Sequence, residues 1–273
     1  MPEGPEVKLS ADLIRPLIVN KKVANAFATK NSRYSGENPE GYARFMDKLS
    51  GGTVIIEEVK VRGKFMHWKF SNGFYLMSTF GMSGQWSPTE GKHPCFIFEF
   101  DDGTKMVFND PRHFGTIKFT QSQKELSGKL SELGWDPLSM PLDKNLNWLK
   151  HKLAKSRNSI AEVLMDQGAF SGVGNYIRAE ALYLSKLSPF RPAHKLSEDE
   201  LKTLCQSIIT VMEESYQHQG ATIHTYKTAF GEEGKYSTLF KVYGQEKDPL
   251  GNKIITQKTP DKRTIHWCPA VQL

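Results

Sequence analysis

Five short runs rich in β-branched and aromatic residues constrain the fold of this chain more than any other feature. They are TVIIEEVKV, KFMHWKF, GFYLMSTF, CFIFEF and MVFND, all within residues 23–119, where NG, DG and GG pairs punctuate the sequence. Short apolar runs bounded by turn residues are typical of β-strands. Because no long helix is predicted between them, they are expected to pair antiparallel and to form a β-sandwich.

The segments on either side of this region have helical patterns. Apolar residues recur at helical spacing after Pro5, which predicts an N-terminal helix; they are Val7, Ala11, Ile14 and Ile18. Helical periodicity returns over residues 147–218, where the glycine-rich stretch SGVGNY interrupts it. Short strand-like pieces around LFKVYG and TIHWC end the chain.

The segment GWDPLSMPLDKN holds two prolines and a glycine and is predicted to be a linker. We therefore predict an α+β chain. Residues 1–136 form the helix and sandwich domain, 137–146 the linker, 147–218 a helical domain and 219–273 a small β-rich region.

Composition narrows the class of protein. The chain has 36 Lys and Arg against 30 Asp and Glu, a net charge of +6 that suits a nucleic-acid partner without requiring one. Three cysteines without regular spacing argue against a disulfide scaffold. No apolar run is long enough to span a membrane, and MPEGPEV has no signal-peptide pattern. We expect a monomeric, intracellular protein that is neither secreted nor bound to membranes.

Five motifs in a fixed order resemble one family. The motifs PEGPEV, RGKF, GMSG, DPRHFG and GVGNYIRAEAL resemble those of formamidopyrimidine-DNA glycosylase and endonuclease VIII, and the resemblance covers nearly the whole chain. It implies a helix–two-turn–helix domain after the sandwich. It also implies a bifunctional enzyme, without a cofactor, that excises oxidised bases from double-stranded DNA and cleaves the strand at abasic sites by β,δ-elimination.

Pro2 can supply the chemistry for both steps. Removal of Met1 leaves Pro2 with a free secondary amine, and an α-amine has a pKa of about 7.7–8, so much of it is neutral near pH 7. Attack on the sugar C1′ displaces the base and leaves an iminium, whose positive charge acidifies the C2′ hydrogen. Taken alone, a proline at this position more often marks a helix start or a processing signal.

Three further residues are expected near that chemistry. Glu3 suits acid–base catalysis, and the resemblance implies that Glu6 is a supporting carboxylate. Both also suit the first turn of a helix, where a carboxylate complements the helix dipole. Lys64 is expected to bind phosphates that flank the lesion, although a turn lysine is commonly just solvated.

A base must leave the duplex before its C1′ can be attacked. By resemblance, Met82 and Phe114 fill the space that it vacates, and Arg112 faces the unpaired partner base. Core packing at strand positions is the alternative for Met82 and Phe114. His113 stands where the family commonly has arginine.

The stretch SGVGNY is expected to bind a phosphate through backbone N–H groups and Asn175, although a generic glycine turn has the same pattern. By resemblance, Glu180 reaches toward the active site, and Tyr243 contacts a further phosphate.

The tail departs from most of the family, which has a four-cysteine zinc finger. The four ligand positions fall on Leu250, Lys253, Cys268 and Val271, and one thiolate cannot hold a tetrahedral zinc. Arg263 matches the finger's DNA-contacting arginine and is expected to take part in catalysis. The tail resembles the zincless finger of endonuclease VIII-like proteins from vertebrates and giant viruses. Its own apolar residues would then stabilise a β-hairpin; they are Leu250, Ile254, Ile255, Ile265 and Trp267.

The zincless branch favours oxidised pyrimidines and formamidopyrimidine or hydantoin lesions as substrates, although the loop around residues 225–237 has no pattern that identifies the lesion. Two alternatives remain open. The chain could be a damaged-DNA-binding module without catalysis, or it could bind an anion other than DNA.

Overall fold

The computed structural model describes residues 2–30, 32–223 and 227–273. Met1, Asn31, His224, Thr225 and Tyr226 therefore lie outside the described residues. The last two belong to the loop predicted around 225–237. The chain divides into two compact units. The first contains residues 1–2, 6–131 and 219–234, and the second contains residues 3–5, 132–218 and 235–273.

The first unit is an antiparallel β-sandwich with helices. Its helices are α1 (Gly4–Ile18), α2 (Tyr42–Ser50) and α3 (Gln123–Ser131). Its strands are β1 (Val23–Ala28), β2 (Ile56–Arg62), β3 (Phe65–Phe70), β4 (Tyr75–Thr79), β5 (Gln85–Ser87), β6 (Pro94–Phe100), β7 (Lys105–Asn109) and β8 (Thr116–Thr120). They form two four-stranded sheets, in the orders β1-β6-β7-β5 and β2-β3-β4-β8.

Aromatic side chains join the two sheets. The ring centroids of Trp68 and Trp86, which lie on opposite sheets, are 4.6 Å apart, and Trp68 lies 5.3 Å from Phe98. All three are fully buried. The four apolar residues that predicted α1 are also buried, at 0–1% exposure, because they face this core. The predicted helix and sandwich are therefore confirmed.

The sequence prediction missed α2. Tyr42, Phe45, Met46 and Leu49 stand at the i, i+3, i+4, i+7 spacing of an amphipathic helix, and they pack against the sandwich core. Nine residues give only one such repeat, and the β-rich sequence around it hides the signal. Strands β1, β5 and β8 also lie outside the five runs that predicted strands.

The second unit is mainly helical. Its helices are α4 (Leu142–Ala154), α5 (Ile160–Met165), α6 (Asn175–Leu184) and α7 (Glu198–Gln217), with short 3₁₀ turns at Ala193–Lys195 and Tyr236–Leu239. Capping boxes at Ser159 with Glu162 and at Ser197 with Glu200 begin α5 and α7. Strands β9 (Ile255–Lys258) and β10 (Thr264–Trp267) pair antiparallel as a hairpin.

The predicted linker is shorter and more ordered than expected. Helix α4 begins at Leu142, because Pro141 stands at its N-cap, where a missing N–H costs nothing. Before it, Trp135 is buried and its indole N–H donates to the Met140 carbonyl oxygen at 2.8 Å.

Residues 219–234 belong to the first unit rather than to one β-rich region over 219–273. The Ala221 N–H donates to Glu6 Oε1 at 2.9 Å, and the Ser87 hydroxyl donates to the Ala229 carbonyl oxygen at 2.8 Å. No helix among the described residues is long and apolar enough to cross a membrane.

Candidate active site and DNA interface

Pro2 is buried and directly precedes Glu3, after which α1 begins at Gly4. Glu3 is 3% exposed, and its carboxylate accepts two backbone N–H groups at the start of α6. Tyr176 donates to Oε1 at 3.1 Å and Ile177 to Oε2 at 3.4 Å. The helix N-terminus therefore holds a carboxylate of the chain itself, with the favourable dipole interaction that this position provides.

Gly174 makes this contact possible. A Cβ at residue 174 would lie 2.2 Å from Glu3 Cδ and 2.4 Å from Glu3 Oε1. Only a residue without a side chain lets the carboxylate approach so closely. The sequence analysis predicts that N–H groups of this glycine-rich stretch bind a phosphate. This is corrected for the N–H groups of Tyr176 and Ile177, because they donate to Glu3 instead.

The other predicted carboxylates are buried and hold backbone segments. Glu6 is 1% exposed and accepts the Ala221 N–H described above. Glu180 accepts the N–H groups of Lys241, Val242 and Tyr243, at 2.8, 2.9 and 2.7 Å. Burial raises the pKa of Glu180, although these N–H groups act in the opposite direction. Glu180 thus fixes residues 241–243, and its reach toward the active site stays a prediction.

Asn175 binds protein groups through both ends of its amide. Its Nδ2 donates to the Thr264 carbonyl oxygen at 3.0 Å, and its Oδ1 accepts from Arg178 Nη2 at 2.6 Å. Asn175 also hydrogen-bonds the phenol of Tyr243, whose pKa burial raises, so that this phenol is neutral. The predicted phosphate contact of Asn175 therefore competes with an existing set of partners.

Lys64 follows Gly63 in the turn between β2 and β3, as predicted. Gly63 has a φ of 56°, which favours glycine, and Lys64 is half-buried. The turn therefore sets the position from which the Lys64 side chain extends.

Met82 and Phe114 are exposed, at 38% and 55%, on the two loops where the motifs GMSG and DPRHFG fall. The alternative of core packing is therefore wrong for both. The guanidinium of Arg112 lies 5.3 Å from the centroid of the Phe114 ring. Such a cation–π contact holds the two side chains together.

Asp110 organises both loops, and the sequence prediction missed it. Its carboxylate is buried and accepts the Ser83 hydroxyl at 2.6 Å from the GMSG loop. It also accepts the N–H groups of Arg112 at 3.2 Å and Gly115 at 2.7 Å. An aspartate before proline at a loop start was the available signal.

His113 has a left-handed backbone, with a φ of 57°, between Arg112 and Phe114. Its Nδ1 lies 3.5 Å from Cys95 Sγ, and its backbone carbonyl oxygen accepts from Arg33 Nη1 at 3.4 Å. His113 therefore anchors the loop to strand β6, while its two neighbours remain exposed.

Arg263 lies in the turn between β9 and β10 with about half of its side chain exposed. Leu250 and Ile255, which were expected to stabilise this hairpin, are 77% and 39% exposed, while Ile254 and Ile265 are buried. Apolar packing therefore accounts for only part of the finger's stability.

A buried carboxylate stands where the metal ligands are missing. Asp248 accepts the N–H groups of Leu250 and Asn252, at 3.0 and 2.7 Å. It also accepts the Tyr183 hydroxyl at 3.2 Å and the Cys268 thiol at 3.6 Å. Burial opposes the charge of Asp248, but the hydrogen bonds outweigh it and lower its pKa. Burial raises the pKa of Cys268, which therefore remains a thiol.

Within residues 2–30, 32–223 and 227–273, no group of three His, Cys, Asp or Glu side chains could hold a metal ion. Of the loop around 225–237, the described part contains a turn in which the Thr228 N–H donates to the Glu232 carbonyl oxygen at 2.7 Å. Phe230 is 53% exposed in that turn.

Three family models match the chain in order. They are the formamidopyrimidine-DNA glycosylase N-terminal domain over residues 1–117, the H2TH domain over 133–227 and the C-terminal domain over 235–273. The formamidopyrimidine-DNA glycosylase of Lactiplantibacillus plantarum is 34% identical over 237 residues, 84% of this chain and 85% of the relative. That of Bacillus cereus is 30% identical and covers 100% of this chain and 99% of the relative.

Solved structures agree with these relatives. The MutM (Fpg) protein from Thermus thermophilus has a TM-score of 0.84 and 28% identity, over 99% of this chain and 98% of that one. The Lactococcus lactis Fpg in complex with DNA that contains an abasic site has a TM-score of 0.85 and 27% identity, over 99% of both chains. These relatives are bacterial, so the zincless branch stays a prediction. The chain belongs to the formamidopyrimidine-DNA glycosylase family.

Proposed function

We propose that this protein excises oxidised bases from double-stranded DNA and then cleaves the strand, with Pro2 as the nucleophile. One observation carries the proposal: Pro2 is followed at once by a buried carboxylate, Glu3, which two N–H groups of α6 fix in place. A nucleophile and an acid–base group joined by one peptide bond suit an attack coupled to proton transfer.

In the proposed reaction, the Pro2 nitrogen bonds to C1′ while the bond from C1′ to the base breaks, and the base leaves with the proton that the Pro2 nitrogen gives up. The sugar ring then opens at O4′, which takes a proton supplied through Glu3, and an iminium forms. Loss of the C2′ hydrogen expels the 3′ phosphate, and a second elimination expels the 5′ phosphate. Water finally hydrolyses the iminium and restores the Pro2 amine.

The exposed loops support the step that precedes this chemistry. Met82 and Phe114 have the apolar surface needed to fill a vacated base position, and Arg112 can donate to the unpaired partner base. Because Asp110 and His113 fix these loops, little conformational entropy is lost when they enter the duplex.

We assign the phosphate contacts to Lys64, Tyr243 and Arg263, with Asn175 as a fourth position that must exchange a protein partner for the phosphate. We propose that residues 1–136 act as the catalytic domain, 137–146 as a linker, 147–218 as the DNA-binding domain and 219–273 as the finger region. Glu6 and Glu180 act as supporting carboxylates, because each holds a backbone segment in place.

The tail supports a more specific substrate class. We assign the chain to the zincless branch, with oxidised pyrimidines and formamidopyrimidine or hydantoin lesions as preferred bases. The support is that Asp248 binds the loop and Cys268 together where a zinc finger would use thiolates.

Reduction with borohydride should trap a covalent adduct between the protein and a duplex that contains an abasic site, because an iminium is reduced to a stable amine. A short N-terminal extension should abolish trapping, since it converts the Pro2 amine to an amide. Pro5→Ala, which leaves the terminal amine untouched, is the control. Denaturing gels measure the adduct, and full trapping by the extended protein would refute the role of Pro2. A protein that binds damaged DNA without any cleavage would instead be the non-catalytic module.

Arg112→Ala should slow excision from a duplex by roughly tenfold or more, the effect of losing one charged hydrogen-bond donor. Excision from single strands should change much less, because they have no partner base. Arg44→Ala, on the exposed side of α2, removes the same charge as a control. Equal losses on both substrates would show that Arg112 does not face the partner base.

Purified protein should contain no stoichiometric zinc, and EDTA should change neither its melting temperature nor its activity, unlike a zinc finger. Asp248→Ala should lower the melting temperature by several degrees, because it leaves five hydrogen-bond donors without their acceptor. Asp47→Ala, at an exposed position beyond the first turn of α2, is the matched control. One equivalent of bound zinc, or a fall in melting temperature with EDTA, would contradict the zincless finger.

A further inference from the structure

A fully buried arginine connects α6 to the turn that carries Arg263. Arg178 is 0% exposed and lies one turn into α6. Its Nη2 donates to Asn175 Oδ1 at 2.6 Å and to the Thr264 carbonyl oxygen at 3.2 Å. Its Nη1 donates to the Ala161 carbonyl oxygen at 3.3 Å and to Thr259 Oγ1 at 3.5 Å. One guanidinium thus binds α5, α6 and both ends of the turn between β9 and β10.

Stability alone does not account for this arginine. Burial lowers the pKa of Arg178, because the charged guanidinium loses its hydration, and Asp261, 3.7 Å away, acts in the opposite direction. Well-packed apolar residues often serve the stability of a core as well as a buried ion pair does, or better. What an apolar residue cannot supply is a planar fork of donors that fixes several acceptors in one geometry.

Asp261 links Arg178 to Arg263, because it lies close to both side chains. The Arg263 N–H donates to Asp261 Oδ1 at 3.2 Å, and Arg263 Nε lies 3.9 Å from Asp261 Oδ2. Thr259 closes the turn, because its hydroxyl contacts Asp261 Oδ1 and its N–H donates to the Arg263 carbonyl oxygen at 2.9 Å. The exposed Arg263 therefore extends from a turn whose anchor is Arg178.

We propose that Arg178 is a positioning residue for the reaction: it fixes the turn of residues 259–264 to α6 so that Arg263 is held ready for a DNA phosphate. This inference rests on the proposed function, in which Arg263 contacts DNA. Asn175 has the same positioning role, because it accepts from Arg178 and donates to the Thr264 carbonyl oxygen that Arg178 also binds.

Two variants that conserve net charge test the proposal. Arg178→Lys keeps the charge but loses the fork, and Thr259→Val keeps the shape but removes the hydroxyl. Arg191→Lys is the control, since Arg191 pairs with Glu200 rather than with the turn. Affinity for a duplex with an abasic site is measured as a function of salt, together with the single-turnover cleavage rate, and each variant is combined with Arg263→Ala.

Arg263→Ala should reduce the slope of log affinity against log salt by about 0.9, the value for one phosphate contact. Arg178→Lys and Thr259→Val should reduce it equally, although neither changes the net charge, and each should slow cleavage about tenfold. Neither should add to the loss caused by Arg263→Ala. Thr259→Val decides the matter should Arg178→Lys fail to fold.

The positioning role would be overturned if Arg263→Ala lowered the salt slope of affinity while Arg178→Lys and Thr259→Val left it unchanged. The proposed function would then still stand. Losses that multiply with Arg263→Ala would also overturn the positioning role, because they would show an effect independent of Arg263. A native protein that neither binds nor cleaves the abasic duplex would instead refute the proposed function.

Discussion

One contact organises the proposed active site: the carboxylate of Glu3 binds the start of α6. Two N–H groups bind it, Gly174 lets it approach, and the Gly4 N–H donates to the Gly172 carbonyl oxygen at 2.9 Å. A helix N-terminus carries a partial positive charge that favours a carboxylate. A glycine motif about 170 residues away in sequence thus fixes Glu3 beside Pro2, the proposed nucleophile.

Buried carboxylates repeat this principle elsewhere. Asp110 fixes the loops of Met82 and Phe114, Asp248 fixes the finger, and Glu180 fixes residues 241–243. In each case the carboxylate accepts hydrogen bonds from N–H groups of a loop. These N–H groups have no partner in a helix or sheet. Met82, Arg112 and Phe114, which we assign to DNA, are attached to the loops that Asp110 fixes, so that their binding needs little reorganisation.

Sequence alone predicted the helix, the sandwich and the hairpin, because periodicity and turn residues are local signals. It did not predict α2, whose single apolar repeat is short, or the start of α4 at Pro141. It singled out Asn175 and Glu180 as site residues but did not predict their hydrogen-bond partners within the protein. Hydrogen bonds between residues such as Glu180 and Val242 depend on tertiary packing, and nothing in the spacing of residues encodes them. The hydrogen bonds of Asp248 and Arg178 were missed for the same reason.

Strand cleavage by Gly174→Ala shows whether the position of the Glu3 carboxylate matters for catalysis. The new Cβ would displace the end of the flexible Glu3 side chain rather than the backbone, so the fold should persist. Gly128→Ala, where a Cβ meets nothing within 4 Å, is the control. We expect a folded protein whose melting temperature falls by a few degrees, because the N–H groups of Tyr176 and Ile177 lose their acceptor. Binding to an abasic duplex should be retained, and cleavage should be slowed about a hundredfold, the usual contribution of acid–base catalysis. Cleavage at the native rate would contradict this role of Glu3.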